Sequence, residues 1–279
     1  MPKTVYYNGK FYGVGEAVIP ISDRSVFFGD AVYDVIIGHG GGLFLGEEHL
    51  HRLVGNARRI GLAERYSFEE LSRISYNVAN NSNLSEYLLY IQLSRTLPER
   101  THAYSAEQDV ALLMTVSPFS LSPPSRRLRL ITEEDRRYGF CDVKTVNLLP
   151  AVLASHKASA AGYDEAVFVR NGVVTECAHS NVSILKNGVL KTHPNSEKIL
   201  PGIAKKHLLS VASDLGLVVS EIPFSKGELF SADEVLVTST TKICLSACEI
   251  DGVAVGGKDE KTLTKLQQKL FSEYTNWTM

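Results

Sequence analysis

The 279-residue chain lacks an excess of charge of either sign. Its 29 lysines and arginines face 31 aspartates and glutamates, a formal net charge of −2. A protein that grips nucleic acid normally carries a basic surplus or stripe, so that class is excluded. Cysteine is scarce too. Cys141, Cys177, Cys244 and Cys248 form no CxxC pair, which excludes a disulfide framework and reads as free thiols of a reducing compartment. Histidine shows no metal spacing: His49 and His51 stand two apart, with no HExxH and no paired Cys/His pattern. No apolar run approaches the roughly 20 residues needed to span a bilayer. The opening MPKTVYYNGKFYG has no apolar core of the kind a signal peptide needs. A cytoplasmic chain with no membrane, nucleic-acid or metal partner is expected.

What is present is an ordinary globular balance, with 44% hydrophobic and 22% charged residues. At about 100–200 residues per domain, the length suits one large or two medium domains. Asn8-Gly9 between tyrosine-rich runs predicts a hairpin, and Gly40-Gly41-Gly42 a second hairpin tip without P-loop spacing. Leu50, Leu53, Ala57 and Ile60 recur at helical spacing. Ser67 and Glu70 form a capping pattern for the next helix. Two strand-like runs, EYLLYIQLSR and DVALLMTV, flank the polar loop TLPERTHAYSAEQ. Residues 116–125, VSPFSLSPPS, hold three prolines and four serines and predict a linker. The domains are then 1–115 and 126–279. In the second, hairpins are expected at Asn171-Gly172 and Asn187-Gly188. A helix is expected after Pro201-Gly202, with Leu208, Val211, Ala212 and Leu215 on one face, and another over the last 20 residues. The fold class is α+β in two domains.

Three features carry chemistry. Lys144, in CDVKTVNLLP, sits between a strand-like and an apolar stretch. It is either a solvated loop lysine or a desolvated amine with nucleophilic character. The helix after Pro201-Gly202 offers backbone N–H groups at Ile203 and Ala204, an anion site by geometry and dipole, to which Thr238–Thr241 could add hydroxyls and Arg52 a charge. Glu176 ends an apolar hairpin strand; it either caps a turn or holds a protonated ring nitrogen. An amine nucleophile, an anion cradle and a carboxylate are together what pyridoxal 5′-phosphate (PLP) requires.

The chain resembles the fold-type IV PLP enzymes, which include D-amino-acid and branched-chain aminotransferases and aminodeoxychorismate lyase. The resemblance runs from FFGDAVYDV through RLVGNARRIGL, DVKTVNLL, GYDEAVFVRNGVVTE, SNVSILKNGVLKTH and ILPGI to VTSTT and EIDG. It implies the following roles. Lys144 is the Schiff-base lysine and proton shuttle, and Glu176 pairs with the pyridinium nitrogen. Arg52, Ile203, Ala204, Ser239 and Thr240 bind the phosphate, and Leu200 packs behind the ring. In the D-amino-acid branch an arginine and a histidine two residues apart join a tyrosine to trap the substrate α-carboxylate, on a loop lent by the partner subunit. Arg100, His102 and Tyr33 fit those positions, with Arg95 as a second candidate arginine. The resemblance thus implies a homodimeric PLP enzyme that moves an amino group from a D-amino acid to a 2-oxo acid. Branched-chain L-transamination and the lyase reaction are the alternatives. The chain departs from the family pattern at Ala204, where a threonine is usual, at Cys177, Ala178 and His179, where close relatives carry small Gly or Ser residues, at Lys242, where they carry a small polar residue, and at Tyr138, where a close relative has a tryptophan.

Overall fold

The computed structural model describes residues 3–104 and 108–277. Ser105, Ala106 and Glu107 of the expected loop, and Thr278 and Met279 of the expected terminal helix, lie outside the described residues. The chain divides into two compact units. One is Met1–Ser120 with Val143–Asn147 and Trp277–Met279; the other is Leu121–Asp142 with Leu148–Asn276.

The first unit holds β1 (Thr4–Tyr7), β2 (Lys10–Tyr12), α1 (Ser25–Phe28), β3 (Ala31–His39), β4 (Gly42–Leu43), α2 (Gly46–Arg59), α3 (Phe68–Asn80), β5 (Glu86–Thr96) and β6 (Asp109–Pro118). Its sheet runs β2-β1-β6-β5-β3-β4. Every adjacent pair is antiparallel. The first hairpin closes at Asn8 and Gly9, with φ 44° and 91°, the positive pair a two-residue primed turn requires. Alternation along β3 and β5 sends Val32, Ile36, Leu89 and Ile91 into a core with Leu50 and Leu53 of α2 and Leu71 and Val78 of α3. Helix α3 starts on the reciprocal Ser67–Glu70 capping box. Strand β6 continues through Pro118, so the segment expected as a linker is strand at its start. A proline is tolerated there because a strand end demands no further ladder N–H.

The second unit holds β7 (Arg127–Glu134), α4 (Leu149–Ala160), β8 (Glu165–Arg170), β9 (Val173–Cys177), β10 (Asn181–Lys186), β11 (Val189–Thr192), α5 (Ile203–Asp214), β12 (Val218–Ser220), β13 (Phe224–Ser225), α6 (Lys226–Ser231), β14 (Glu234–Thr238), β15 (Leu245–Ile250), β16 (Val253–Ala254) and α7 (Glu260–Thr275). Its sheet runs β12-β11-β10-β14-β15-β7-β8-β9-β13, with β16 paired to β15. Strand β7 is parallel to both β15 and β8. On α5, Leu208, Val211 and Ala212 are buried as expected. Leu215 is 44% exposed, because the helix has ended at Asp214 and Leu215 is its C-cap.

The return of residues 143–147 to the first unit is the feature that sequence blocks alone do not suggest. The segment lies along β3, with Thr145 bridged to Val32 and the Lys144 carbonyl accepting the Tyr33 amide at 2.9 Å. Asn147 anchors its far end, donating from Nδ2 to the Gly29 carbonyl at 2.9 Å. Gly29 stands at φ +62°, and a Cβ there would fall 2.2 Å from Asn147 Oδ1. Gly29→Ala is therefore expected to lower unfolding stability by about 1–2 kcal/mol, from the left-handed backbone and the displaced Asn147 bond together. A denaturant midpoint equal to that of the parent would show that the segment shifts without cost.

Candidate active site

In the first unit, consecutive residues of β3 point to opposite faces and serve different partners. Tyr33 stacks on Tyr90, ring centroids 5.4 Å apart, and the Lys144 Nζ sits 4.4 Å from the Tyr33 ring centroid. Among the described residues no carboxylate pairs with this ammonium. Asp34, fully buried, turns instead to α2, whose His49 and Arg52 lie three apart on one face. Arg52 is gripped in a fork, Nε to Oδ2 and Nη2 to Oδ1, each 2.8 Å, and His49 Nδ1 lies 2.8 Å from the same Oδ1. Burial opposes the charge on Asp34, but the Arg52 and His49 partners outweigh it and hold the carboxyl far below the usual carboxylate range. Burial pushes His49 the other way, below the ordinary imidazole value, more than Asp34 restores.

The loop after β5 packs back on α1. Arg24, itself buried, bonds the carbonyls of Thr101 and, at 3.1 Å, His102, while its Nε meets Asp30 at 2.8 Å. The Arg100 guanidinium lies 4.9 Å from the Phe28 ring centroid and makes no ion pair among the described residues. The His102 ring is tilted against Phe28 at 5.2 Å. A cavity of about 180 Å³ opens here, lined by Ser22, Arg24, Phe27, Phe28, Pro98 and Arg100. Arg95, the second candidate for the trap, is excluded. It is 1% exposed and its donors are spent on Asp30 and on the carbonyls of Ile60 and Gly61.

In the second unit, Glu176 is buried near the end of β9 and surrounded by donors. Asn181 Nδ2 reaches Oε2 at 2.9 Å, the Leu200 amide reaches both oxygens at 3.1 and 3.2 Å, and Arg137 Nη1 donates to Oε1. Arg137 is also held through Nε and Nη2 by Asp135 at 2.9 and 3.0 Å. Burial opposes its charge, yet Asp135 and Glu176 keep its proton bound more tightly than usual. Leu200 is thus placed beside the acid by its own backbone. Helix α5 begins at Ile203 with Gly202 as N-cap and no side-chain cap, so the amides of Ile203 and Ala204 are available to an anion. A Cβ on Gly202 would fall 1.9 Å from Asn181 Oδ1, so only glycine lets this helix start so close to β10. Ser239 and Thr240 follow β14 in a turn closed by the Lys242 and Ile243 amides on the Ser239 carbonyl. Thr238 Oγ1, next to them, is buried with no partner among the described residues. An uncapped helix start and an orphaned hydroxyl in the unit that holds the buried acid fit an anionic group with a ring nitrogen, as a phosphorylated pyridine has.

Two residues of this arrangement escaped the sequence. Asp34 and Arg137 orient the residues that were named, but a charge within β3 or just past β7 gives no sign of the partner it will meet. Their partners lie 18 and 39 positions away.

The chain belongs to the class IV aminotransferases: the family model for amino-transferase class IV matches residues 31–250. It is accordingly an enzyme that transfers amino groups, with the fold-type IV architecture that the resemblance implied. The curated D-alanine aminotransferase of Bacillus licheniformis is 35% identical over 278 residues, 96% of this chain and 98% of that one. The solved branched-chain aminotransferase of Escherichia coli superposes with a TM-score of 0.90 at 23% identity, covering 100% of this chain and 96% of that one. The T.th. branched-chain aminotransferase solved with pyridoxamine 5′-phosphate gives 0.90 at 21% identity, over 99% and 95% of the two chains. At those identities the structural likeness is one of fold.

His49 generates a pH prediction. Its folded pKa is lowered from 6.5, so the unfolded chain binds a proton that the folded chain refuses. Stability then falls as the pH drops from about 6.5 toward the lowered value. His49→Gln should flatten that part of the curve when urea unfolding is measured between pH 7 and 5.5. An unchanged slope would mean that His49 takes up its proton in the fold as readily as in the unfolded chain.

Proposed function

We propose that the chain is a PLP-dependent D-amino-acid aminotransferase, passing an amino group from a D-amino acid such as D-alanine to a 2-oxo acid such as 2-oxoglutarate or pyruvate. The observation that carries the reading is Lys144: an amine pinned by its own backbone to β3, set against an aromatic ring and lacking a carboxylate partner among the described residues. The whole-length likeness to a D-alanine aminotransferase supports the choice of D-substrates.

PLP, when bound, withdraws electrons from the substrate Cα and stores the amino group between the two half-reactions. Lys144 Nζ would hold the cofactor at its aldehyde and, once freed by the incoming amine, would be the base that takes the proton from the substrate Cα. Glu176 would keep a proton on the ring nitrogen, and its Arg137, Asn181 and Leu200 donors fix the direction in which it points. As the family resemblance implies, the Ile203 and Ala204 amides, the Ser239 and Thr240 hydroxyls and Arg52 would bind the phosphate, and Leu200 would pack behind the ring. Asp34 orients Arg52 through paired bonds from Nε and Nη2. Tyr33, Arg100 and His102 hold the substrate α-carboxylate. Arg100 would supply a bidentate clamp, and His102, whose ring packs on the same Phe28 as the Arg100 guanidinium, a further donor.

We infer further that the Arg100–His102 loop serves the site of a second copy, so that the working form is a homodimer. Helix α4 supports association. Leu149, Val152 and Leu153 are 68%, 56% and 60% exposed, an apolar row at helical spacing that water disfavours.

With PLP and 2-oxoglutarate, the purified chain should turn over D-alanine far faster than L-leucine, and Lys144→Ala should abolish turnover of both. Preference for L-leucine would replace this reading with the branched-chain one, and pyruvate release from aminodeoxychorismate with the lyase one. Leu149→Glu with Leu153→Glu should shift the mass in light scattering from dimer to monomer; a parent that is already monomeric would remove the second copy.

A further inference from the structure

Two of the departures from the family pattern in the second unit, His179 and Lys242, converge on one carboxylate. Glu165, the first residue of β8, is 0% exposed. Its Oε1 accepts from the His179 amide at 2.8 Å and also meets His179 Nδ1. Its Oε2 accepts from Ser180 Oγ at 3.0 Å and lies 3.1 Å from Lys242 Nζ. Lys242 Nζ also reaches Ser180 Oγ at 3.3 Å. One buried acid therefore ties the turn just after Glu176 to the turn just after β14. Burial works against ionisation of Glu165, but His179 and Lys242 prevail and hold its pKa down at about 2.

The turn after β14 needs an anchor. Ile243 stands at φ 53°, a left-handed conformation that a β-branched residue adopts only where its surroundings impose it. The Lys242 and Ile243 amides both close on the Ser239 carbonyl, at 3.2 and 2.8 Å, and Ser239 Oγ meets Thr241 Oγ1 at 3.3 Å. Lys242 is the residue whose side chain leaves this turn for a fixed point, and Glu165 is that point. Ala204 offers no hydroxyl at the α5 side of the cradle, so the shape of the β14 turn matters the more.

We propose that Lys242 is a positioning residue for the phosphate end of the cofactor site, holding the Ser239–Thr241 turn in its binding shape through the buried carboxylate of Glu165. The inference rests on the PLP reading of the preceding subsection. It predicts a defect specific to the phosphate. Lys242→Met apoenzyme, titrated with PLP and separately with pyridoxal, which has no phosphate, should lose about tenfold in PLP affinity. Its affinity for pyridoxal should stay that of the parent. Lys242→Arg should recover most of the loss. Because removing the lysine alone takes one cation from a buried carboxylate, Glu165→Gln combined with Lys242→Met serves as the second variant and should show the same phosphate-specific loss. Equal losses for PLP and pyridoxal, or an unchanged PLP constant in both variants, would overturn the proposal. Failure of the unmutated protein to take up PLP would instead overturn the cofactor reading, and is visible before any variant is made.

Discussion

The hydrogen bond from the Tyr33 amide to the Lys144 carbonyl is the contact on which the proposed chemistry depends. It adds a five-residue segment to the flank of β3 and so turns a lysine on a connecting stretch into a lysine on a sheet. A side chain carried by paired backbone keeps its direction through thermal motion far better than one on a free loop, and a nucleophile that also moves protons needs that constancy. The opposite face of the same strand, one residue on, holds Asp34. A single strand therefore sets both the amine and, through α2, the arginine fork.

A common arrangement governs the charged groups. Arg52 is held by Asp34, Glu176 by Arg137 and Lys242 by Glu165. In each pair the residue named by resemblance or departure is gripped by a partner of opposite sign, and the carboxylate of the pair is buried. Such pairs are poor sources of net stability, since desolvation offsets most of the attraction. Their value lies in direction: a guanidinium or carboxylate fixed beforehand does not have to reorganise when a ligand arrives.

Much of this was legible in the residues. The Asn-Gly hairpins, the Ser67 capping box, the amphipathic α2 and the uncapped start of α5 announce themselves because turn chemistry and periodicity are local properties. What stayed hidden is non-local. Nothing near Lys144 tells that residues 143–147 pair with β3, because the pairing partner lies more than a hundred positions earlier in the chain. The Pro/Ser stretch marks the change of unit, but Pro118 still belongs to β6. Arg95 and Arg100 look alike in sequence, and only burial separates an arginine consumed by Asp30 and two carbonyls from one left over a pair of phenylalanine rings. His179 and Lys242 looked like unrelated oddities until a carboxylate distant in sequence from Lys242 proved to be common to both.

The return of residues 143–147 also bears on how the gene could be divided. A cut in the Pro/Ser stretch would look harmless, since few structural elements cross it. Yet the upstream fragment would carry Tyr33, Asp34 and Arg52 without the strip that lies along β3, and the downstream fragment would carry Lys144 with no strand to lie on. Residues 143–147 follow β6 by more than twenty positions, so the strip that carries Lys144 leaves the ribosome after every strand of that sheet.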